Sequence, residues 1–406
     1  MANIELLAPA GDFEKLKTAF YYGADAVYIG GKAMSLRALA GNFSDEEIAK
    51  AVEYAHSLNK KLYVTVNIFA KNFDLEYAEK YFKYLESLNI DGAIISDPGL
   101  IYLATKVAPN LKINLSTQAN TLNKMSVEFW QKIGVQRVIL ARELSFNEIA
   151  EIHVHCPDME IETFIHGAMC ISYSGRCLLS NYLNGRDSNR GACVQACRWE
   201  YEIREKNKGG DFLTMSEDER GTYILNSKDL NLLDYIDELV TAGVISFKIE
   251  GRMKSEYYLA TVINAYRRAI DGYLANGKDY KLNTLYQNEL LKTAHRDFTT
   301  AYFLGANDKT VNYDDSQSKG THKYIANVIE SNENRDYAVI EMRNRFKVGD
   351  ELEVLSPSNS FNKIIKVEKM ESIKGDEILD AKLVQQKIRF YTDVPLYAGD
   401  MLRIKM

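Results

Sequence analysis

The chain has no long hydrophobic run. None of its apolar stretches approaches the ~18–20 residues needed to cross a bilayer. Its first residues, "MANIELLAPAGD", lack a basic segment, and Glu5 interrupts the apolar stretch, so neither a signal peptide nor a membrane partner is expected and the expected address is cytoplasmic. It also lacks an excess of positive charge. With 50 Lys+Arg against 56 Asp+Glu the net charge is −6, which excludes a globally basic nucleic-acid binder, so any nucleic-acid contact needs a local patch. Two hydrolase signatures are missing as well: no G-x-S-x-G elbow and no H-E-x-x-H zinc helix occurs. Cysteine is scarce, at five in 406 residues.

What is present is arranged unevenly. A length of 406 residues predicts two or three domains. Through residue 280, β-rich runs alternate with amphipathic helical segments, the pattern of βα units around a parallel sheet. Eight runs read as strands: 4–9, 26–31, 62–69, 92–97, 113–118, 137–142, 161–166 and 245–250. "SDEEIAKAVEYAHSLN" (44–59) opens with a capping-box pair, Ser44 and Glu47. The segment 255–277 reads as a long helix stopped by Gly277. Eight strands with intervening helices predict an α/β fold, a (β/α)8 TIM-like barrel over 1–305, with an open doubly wound sheet as the alternative.

About eighty residues separate strands seven and eight. This excursion (168–244) is expected to be a Cys-rich subdomain with its own strand, "YILNSKDL" (223–230). Residues 306–321 are polar and aperiodic and read as a linker. From 322 to 406, alternating runs separated by polar turns predict a small all-β barrel domain. "VGDELEV" and "AGDMLRI" echo each other there, which reads as hairpin chemistry.

Four of the five cysteines, Cys170, Cys177, Cys193 and Cys197, fall in the excursion with the spacing C-x6-C-x15-C-x3-C. In a reducing compartment such a group points to metal binding or redox work rather than disulfides. Zinc and an iron–sulfur cluster are both compatible. The wide first pair suits a larger cluster, and the second pair is expected to share one face of a helical turn. Unliganded buried cysteine is the plain alternative.

The stretch "ETFIHGAMCISYSGRCLLS" (162–180) resembles the signature of the collagenase-like peptidase family U32, carried on Glu162, Phe164, Gly167, Cys170, Gly175, Cys177 and Ser180. "NGRDSNRGACVQACRWEY" (184–201), "NSKDL" (226–230) and "FKIEGRMKSEYY" (247–258) extend the resemblance over the whole chain. It is nearest to the subgroup of tRNA hydroxylation proteins that make 5-hydroxyuridine at the wobble position. That resemblance implies a 4Fe–4S cluster on the four cysteines, prephenate as a co-substrate, and tRNA, through its anticodon loop, as partner. Relatives that occur as pairs imply two further readings: a paralogue or second copy as partner, or a non-catalytic half of a hydroxylase pair. The family's early label implies a peptidase alternative.

In a (β/α)8 barrel, chemistry sits at the C-terminal ends of the strands. The polar residues there are Asn67, Gln118, Arg142, Glu143, His166, Lys248, Glu250 and Arg252. Lys248, Glu250 and His166 are the candidate catalytic groups; Asn67, Gln118, Arg142, Glu143 and Arg252 are the candidate substrate contacts. Ser246, Lys248 and Glu250 alternate onto one face of strand eight, so a Lys248–Glu250 ion pair is the structural alternative for those two. His166 is equally readable as a satisfied core histidine. Arg186, Arg190, Arg198, Arg252, Lys254, Arg267 and Arg268 are the candidates for a phosphate-binding rim.

Overall fold

A computed structural model describes residues 4–36, 41–170, 172–199, 217–218, 221–222, 227–305, 318–332 and 337–406. Eight parallel strands close into a barrel: Glu5–Pro9, Ala26–Gly30, Lys61–Val66, Gly92–Ile95, Ile113–Leu115, Arg137–Ile139, Glu160–Ala168 and Val244–Ile249. Strand eight pairs with strand one at Glu5↔Ser246 and with strand seven at Ser246↔Glu162, which closes the ring. The expected (β/α)8 architecture is what forms. Four of the expected strands end two to three residues early at their C-terminal ends, and the released residues become the loops of the barrel mouth. Closed parallel strands are buried on both faces, which is why each reads as a short apolar run.

The helices pack outside. The capping box at Ser44 and Glu47 forms as expected, Ser44 N donating to Glu47 at 2.7 Å and Glu47 N to Ser44 Oγ at 3.2 Å. Helix Glu256–Asn276 ends at Gly277 (φ +59°) and buries most of its residues, because it is clasped between barrel and C-terminal domain.

Strand seven carries the one irregularity that matters for the site. Its register against strand eight slips between Lys248↔Phe164 and Ile249↔His166. Such a bulge turns the side chains beyond it to the opposite face. Phe164 therefore points into the barrel, whereas His166 points outward among Tyr258, Tyr266 and Phe298, with ring centroids 5.5–6.1 Å away. Gly167 follows at φ +109°, and a Cβ there would meet the Glu250 carbonyl oxygen at 2.3 Å. Only glycine fits this crossing of strands.

Of the expected excursion strand, residues 223–226 lie outside the described residues. The next residues, Asp229–Asn231, form a strand antiparallel to the end of strand seven. Most of the expected linker (306–317) also lies outside the described residues. The C-terminal region is a seven-stranded antiparallel sheet curled into a half-barrel. In the two echoing turns Gly349 and Gly399 both take positive φ, and the strands that follow pair with each other at Glu353↔Arg403. The sheet docks on the barrel through a buried ionic knot. Arg403, fully buried, reaches Glu289 at 2.5 and 2.9 Å and Glu353 at 2.5 Å. Tyr22 OH donates to the Leu355 and Gly399 carbonyls, and Tyr257 stacks on Tyr324.

Candidate active site

The barrel interior is layered. At its N-terminal end lies a ring of charge built from strands one, three, six, seven and eight. Arg137 Nη1 bonds Glu5 Oε1 at 2.5 Å and Glu162 Oε2 at 3.2 Å, and its Nη2 bonds Glu160 at 2.7 Å. Lys61, Tyr63 and Ser246 add donors to Glu5 at 2.8–2.9 Å. Burial would raise the Glu5 pKa, but Arg137 and Lys61 outweigh it and hold it at about 2. Above this ring comes an apolar layer of Leu7, Tyr28, Ile94, Ile139 and Phe164.

Lys248 bridges the two layers. Its Nζ bonds Glu162 Oε1 at 2.6 Å and faces the rings of Tyr28 at 4.4 Å and Phe164 at 5.5 Å. Burial pushes the lysine down from its ordinary range, while Glu162 pulls it back up. The ion pair anticipated for Lys248 is thus real, but its partner is Glu162 rather than Glu250. Glu250 lies just past the strand end, where Tyr28 OH donates to it at 3.3 Å.

The C-terminal mouth opens over this floor as a cavity of about 1570 Å3, continuous with solvent. Asn67, Gln118, Arg142, Lys248, Glu250 and Arg252 all line it, and so do Cys170, Cys177, Cys193 and Cys197. The structure therefore brings the excursion and six of the eight barrel candidates to one place. Asn67 Nδ2 donates to Gln118 Oε1 at 3.0 Å. Arg142 Nη1 donates to the Ala168 carbonyl at 3.0 Å and its guanidinium lies 5.1 Å from the Phe164 centroid. Arg252 is committed to the loop after strand two: it donates to Ser35 Oγ at 2.9 Å and to the Leu36 carbonyl. It shapes the wall.

Two candidates lie elsewhere. His166 is buried outside the barrel wall, behind the bulge, and burial lowers its pKa to about 3. A neutral imidazole in that layer is a packing residue. Glu143 does not line the cavity; its carboxylate accepts from Ser174 N and Ser174 Oγ, both at 2.7 Å, and so ties the Cys-rich loop to the barrel rim. The phosphate rim also thins. Arg190 is paired with Asp74, Arg267 with Asp25 and Asp271, and Arg268 holds carbonyls of the C-terminal domain. Arg186 stays exposed. The residues that sequence reading missed are Glu5, Arg137, Glu162 and Tyr28. The sequence signals Glu5, Arg137 and Glu162 only singly, as charge at inward positions of otherwise apolar strands, and not their meeting in one ring.

Three of the four cysteines share a local geometry. The backbone N–H two residues on points at the sulfur: Leu179 N to Cys177 Sγ at 3.4 Å and Gln195 N to Cys193 Sγ at 3.3 Å, with Ser172 N acting likewise on Cys170. Burial raises the Cys170 thiol; Ser172 and Arg142 oppose this, and the Cys177 and Cys193 sulfurs add to it. Cys193 and Cys197 do not share a helical turn. Gln195 is left-handed (φ +59°) and a short 3-10 turn over Ala196–Arg198 follows, which aims both sulfurs at the cavity. N–H donors on sulfur stabilise thiolates and tune iron–sulfur centres, so this donor set fits a cluster. Among the described residues, no three His, Cys, Asp or Glu side chains are grouped tightly enough to hold a single metal ion. Cys156, the fifth, is a buried core residue.

A (β/α)8 barrel with a cysteine-lined mouth and a C-terminal β domain defines the class. The chain belongs to peptidase family U32: the model of that family matches residues 11–313, and the model of the family's C-terminal domain matches residues 320–403. Similar proteins include "tRNA hydroxylation protein P1" of Bacillus subtilis, 42% identical over 98% of this chain and 94% of that one. "tRNA hydroxylation protein P" of Escherichia coli is 40% identical over 93% and 91%. The E. coli "23S rRNA 5-hydroxycytidine C2501 synthase" is 35% identical over 75% of this chain and 46% of its own length. No helix among the described residues is long and apolar enough to cross a membrane.

Proposed function

We propose that this chain is a tRNA-modifying enzyme that hydroxylates carbon 5 of the wobble uridine, with a 4Fe–4S cluster on Cys170, Cys177, Cys193 and Cys197 and prephenate as co-substrate. The observation that carries it is the convergence of the four cysteines, Lys248, Arg142 and the Asn67–Gln118 amide pair on one cavity. The hydroxylation named for its relatives supports the same reading.

The cluster would supply one-electron or Lewis-acid chemistry beside the cavity. The chain's own residues bind and orient. Arg142 and Lys248 give positive charge for a small carboxylate, and the Asn67–Gln118 pair offers amide donors and acceptors for a nucleobase edge. Glu143, through Ser174, fixes the loop that carries Cys170 and Cys177. A uridine splayed from a single-stranded loop could enter past exposed aromatics of the same excursion, Tyr173 and Tyr182 (87% exposed), which suit base stacking. Among the described residues no histidine lines the cavity, so the Cys–His pairing common to cysteine peptidases is not what supports the reading there.

The test is nucleoside mass spectrometry of tRNA from a deletion strain without a compensating paralogue. The reading expects 5-hydroxyuridine to vanish and to return with the wild-type chain alone. Unchanged modification contradicts it, and rescue only with a co-expressed paralogue favours a partner subunit. Anaerobically purified protein is expected to contain iron and sulfide; material free of both contradicts the cluster.

A further inference from the structure

Lys248 is placed unlike a merely structural lysine. It stands where the charged floor meets the open mouth, buried yet lining the cavity. Its ammonium has three N–H donors but one acceptor among the described residues, Glu162. Its other directions face the Tyr28 and Phe164 rings. Glu162 and the two ring faces hold the ammonium while burial weighs against it, so a proton passed to Glu162 leaves a neutral amine facing the cavity. Arg142 faces the same Phe164 ring, and its buried Nε–H has no acceptor among the described residues. A nucleophile and an unsatisfied anion donor thus lie near one aromatic ring, and all three line the same cavity.

We propose that Lys248 forms a protonated Schiff base with the carbonyl carbon of a small 2-oxo acid whose carboxylate is received by Arg142. The inference rests on the mouth cavity being the reaction site and adds the chemical class and covalent handling of its co-substrate. The step balances without an oxidant. The ammonium passes one proton to Glu162, and the amine lone pair forms the C–N bond as the carbonyl pair moves to oxygen. That oxygen takes protons from the nitrogen and from Glu162 and leaves as water. The product is an iminium carrying the single positive charge the lysine began with, opposite a restored Glu162 carboxylate.

Pyruvate is the simplest probe. Purified full-length protein incubated with pyruvate and borohydride is expected to gain the mass of pyruvic acid less one oxygen atom, with peptide mapping placing it on Lys248. Lys248→Arg is expected to abolish it. Arg142→Ala, at the rim and outside the charged ring, is expected to raise the pyruvate concentration for half-labelling at least about tenfold, the worth of one charge-assisted contact. No adduct, an adduct on other lysines, or equal labelling of Lys248→Arg overturns the proposal. Wobble-uridine modification does not enter this readout, so failure of the imine and failure of the hydroxylase reading are seen separately.

Discussion

Replacing Glu162 by Gln keeps the shape of the barrel floor and removes one charge. Glu162 is fully buried, and its two oxygens serve Lys248 at 2.6 Å and Arg137 at 3.2 Å. Arg137 keeps Glu5 and Glu160, but Lys248 keeps no anion within bonding reach. Breaking a buried pair from one side costs about 3–5 kcal/mol, because the survivor stays desolvated. Against a total stability of roughly 5–15 kcal/mol this is a large share. Urea unfolding followed by circular dichroism reads it directly. Adding Lys248→Met removes the stranded charge, so the double variant is expected to recover about 2–3 kcal/mol relative to the sum of the single changes. The pH dependence has a definite sign. Burial lowers Lys248 below its ordinary value of 10.5, and in Glu162→Gln only the weaker pull of Glu250 opposes that. Between its folded value and 10.5 the unfolded chain binds a proton that the folded chain does not, so the variant's stability rises with pH across that window, more steeply than in wild type. A single variant within about 1 kcal/mol of wild type, or strict additivity in the double, refutes a charged floor that holds the lysine in place.

Two further expectations follow from the same structure. His166 has a folded pKa of about 3 against an ordinary 6.5, set mainly by burial and only partly opposed by Asp229; its share of stability is intact above 6.5 and is lost as pH falls towards 3, at up to about 1.4 kcal/mol per pH unit. His166→Phe should flatten the stability–pH slope in that range by one proton's worth, and an unchanged slope contradicts the packing role. Arg403→Met takes the buried guanidinium from Glu289 and Glu353 at the domain junction and leaves Lys292 as the cation bonded to both, for an expected loss of about 3 kcal/mol, the lower end for a broken buried pair, and separate barrel and β-domain transitions in calorimetry; a single unshifted transition argues against that knot.

Much of the fold was legible because a closed parallel sheet announces itself as repeated short apolar runs. Strands one to eight were found in order, and the tendency to extend them too far had a physical origin. "VTVNIF", "INLSTQ" and "VILAR" stay apolar or β-prone past the last ladder pair, and it is there that Asn67, Gln118 and Arg142 leave the sheet for the mouth. That the four cysteines gather in one place was legible from their clustering alone. The charged floor was not. Glu5 and Arg137 meet across 132 positions of sequence, and only closure of the barrel brings them together. His166 misled because alternation along strand seven points it inward, and no pattern of residues signals the one-residue bulge that turns it out. Glu250 misled similarly: alternation places it with Lys248, but the strand stops at Ile249, and the lysine turns down to Glu162 instead.

Individual serine replacement of Cys170, Cys177, Cys193 and Cys197, each expressed in the deletion strain, tests the account most directly. Mass spectrometry of the tRNA nucleosides should find wobble 5-hydroxyuridine restored by the wild-type chain and absent with every one of the four replacements, although each protein accumulates normally. Full modification supported by any of the four would contradict a reaction centre built on those sulfurs.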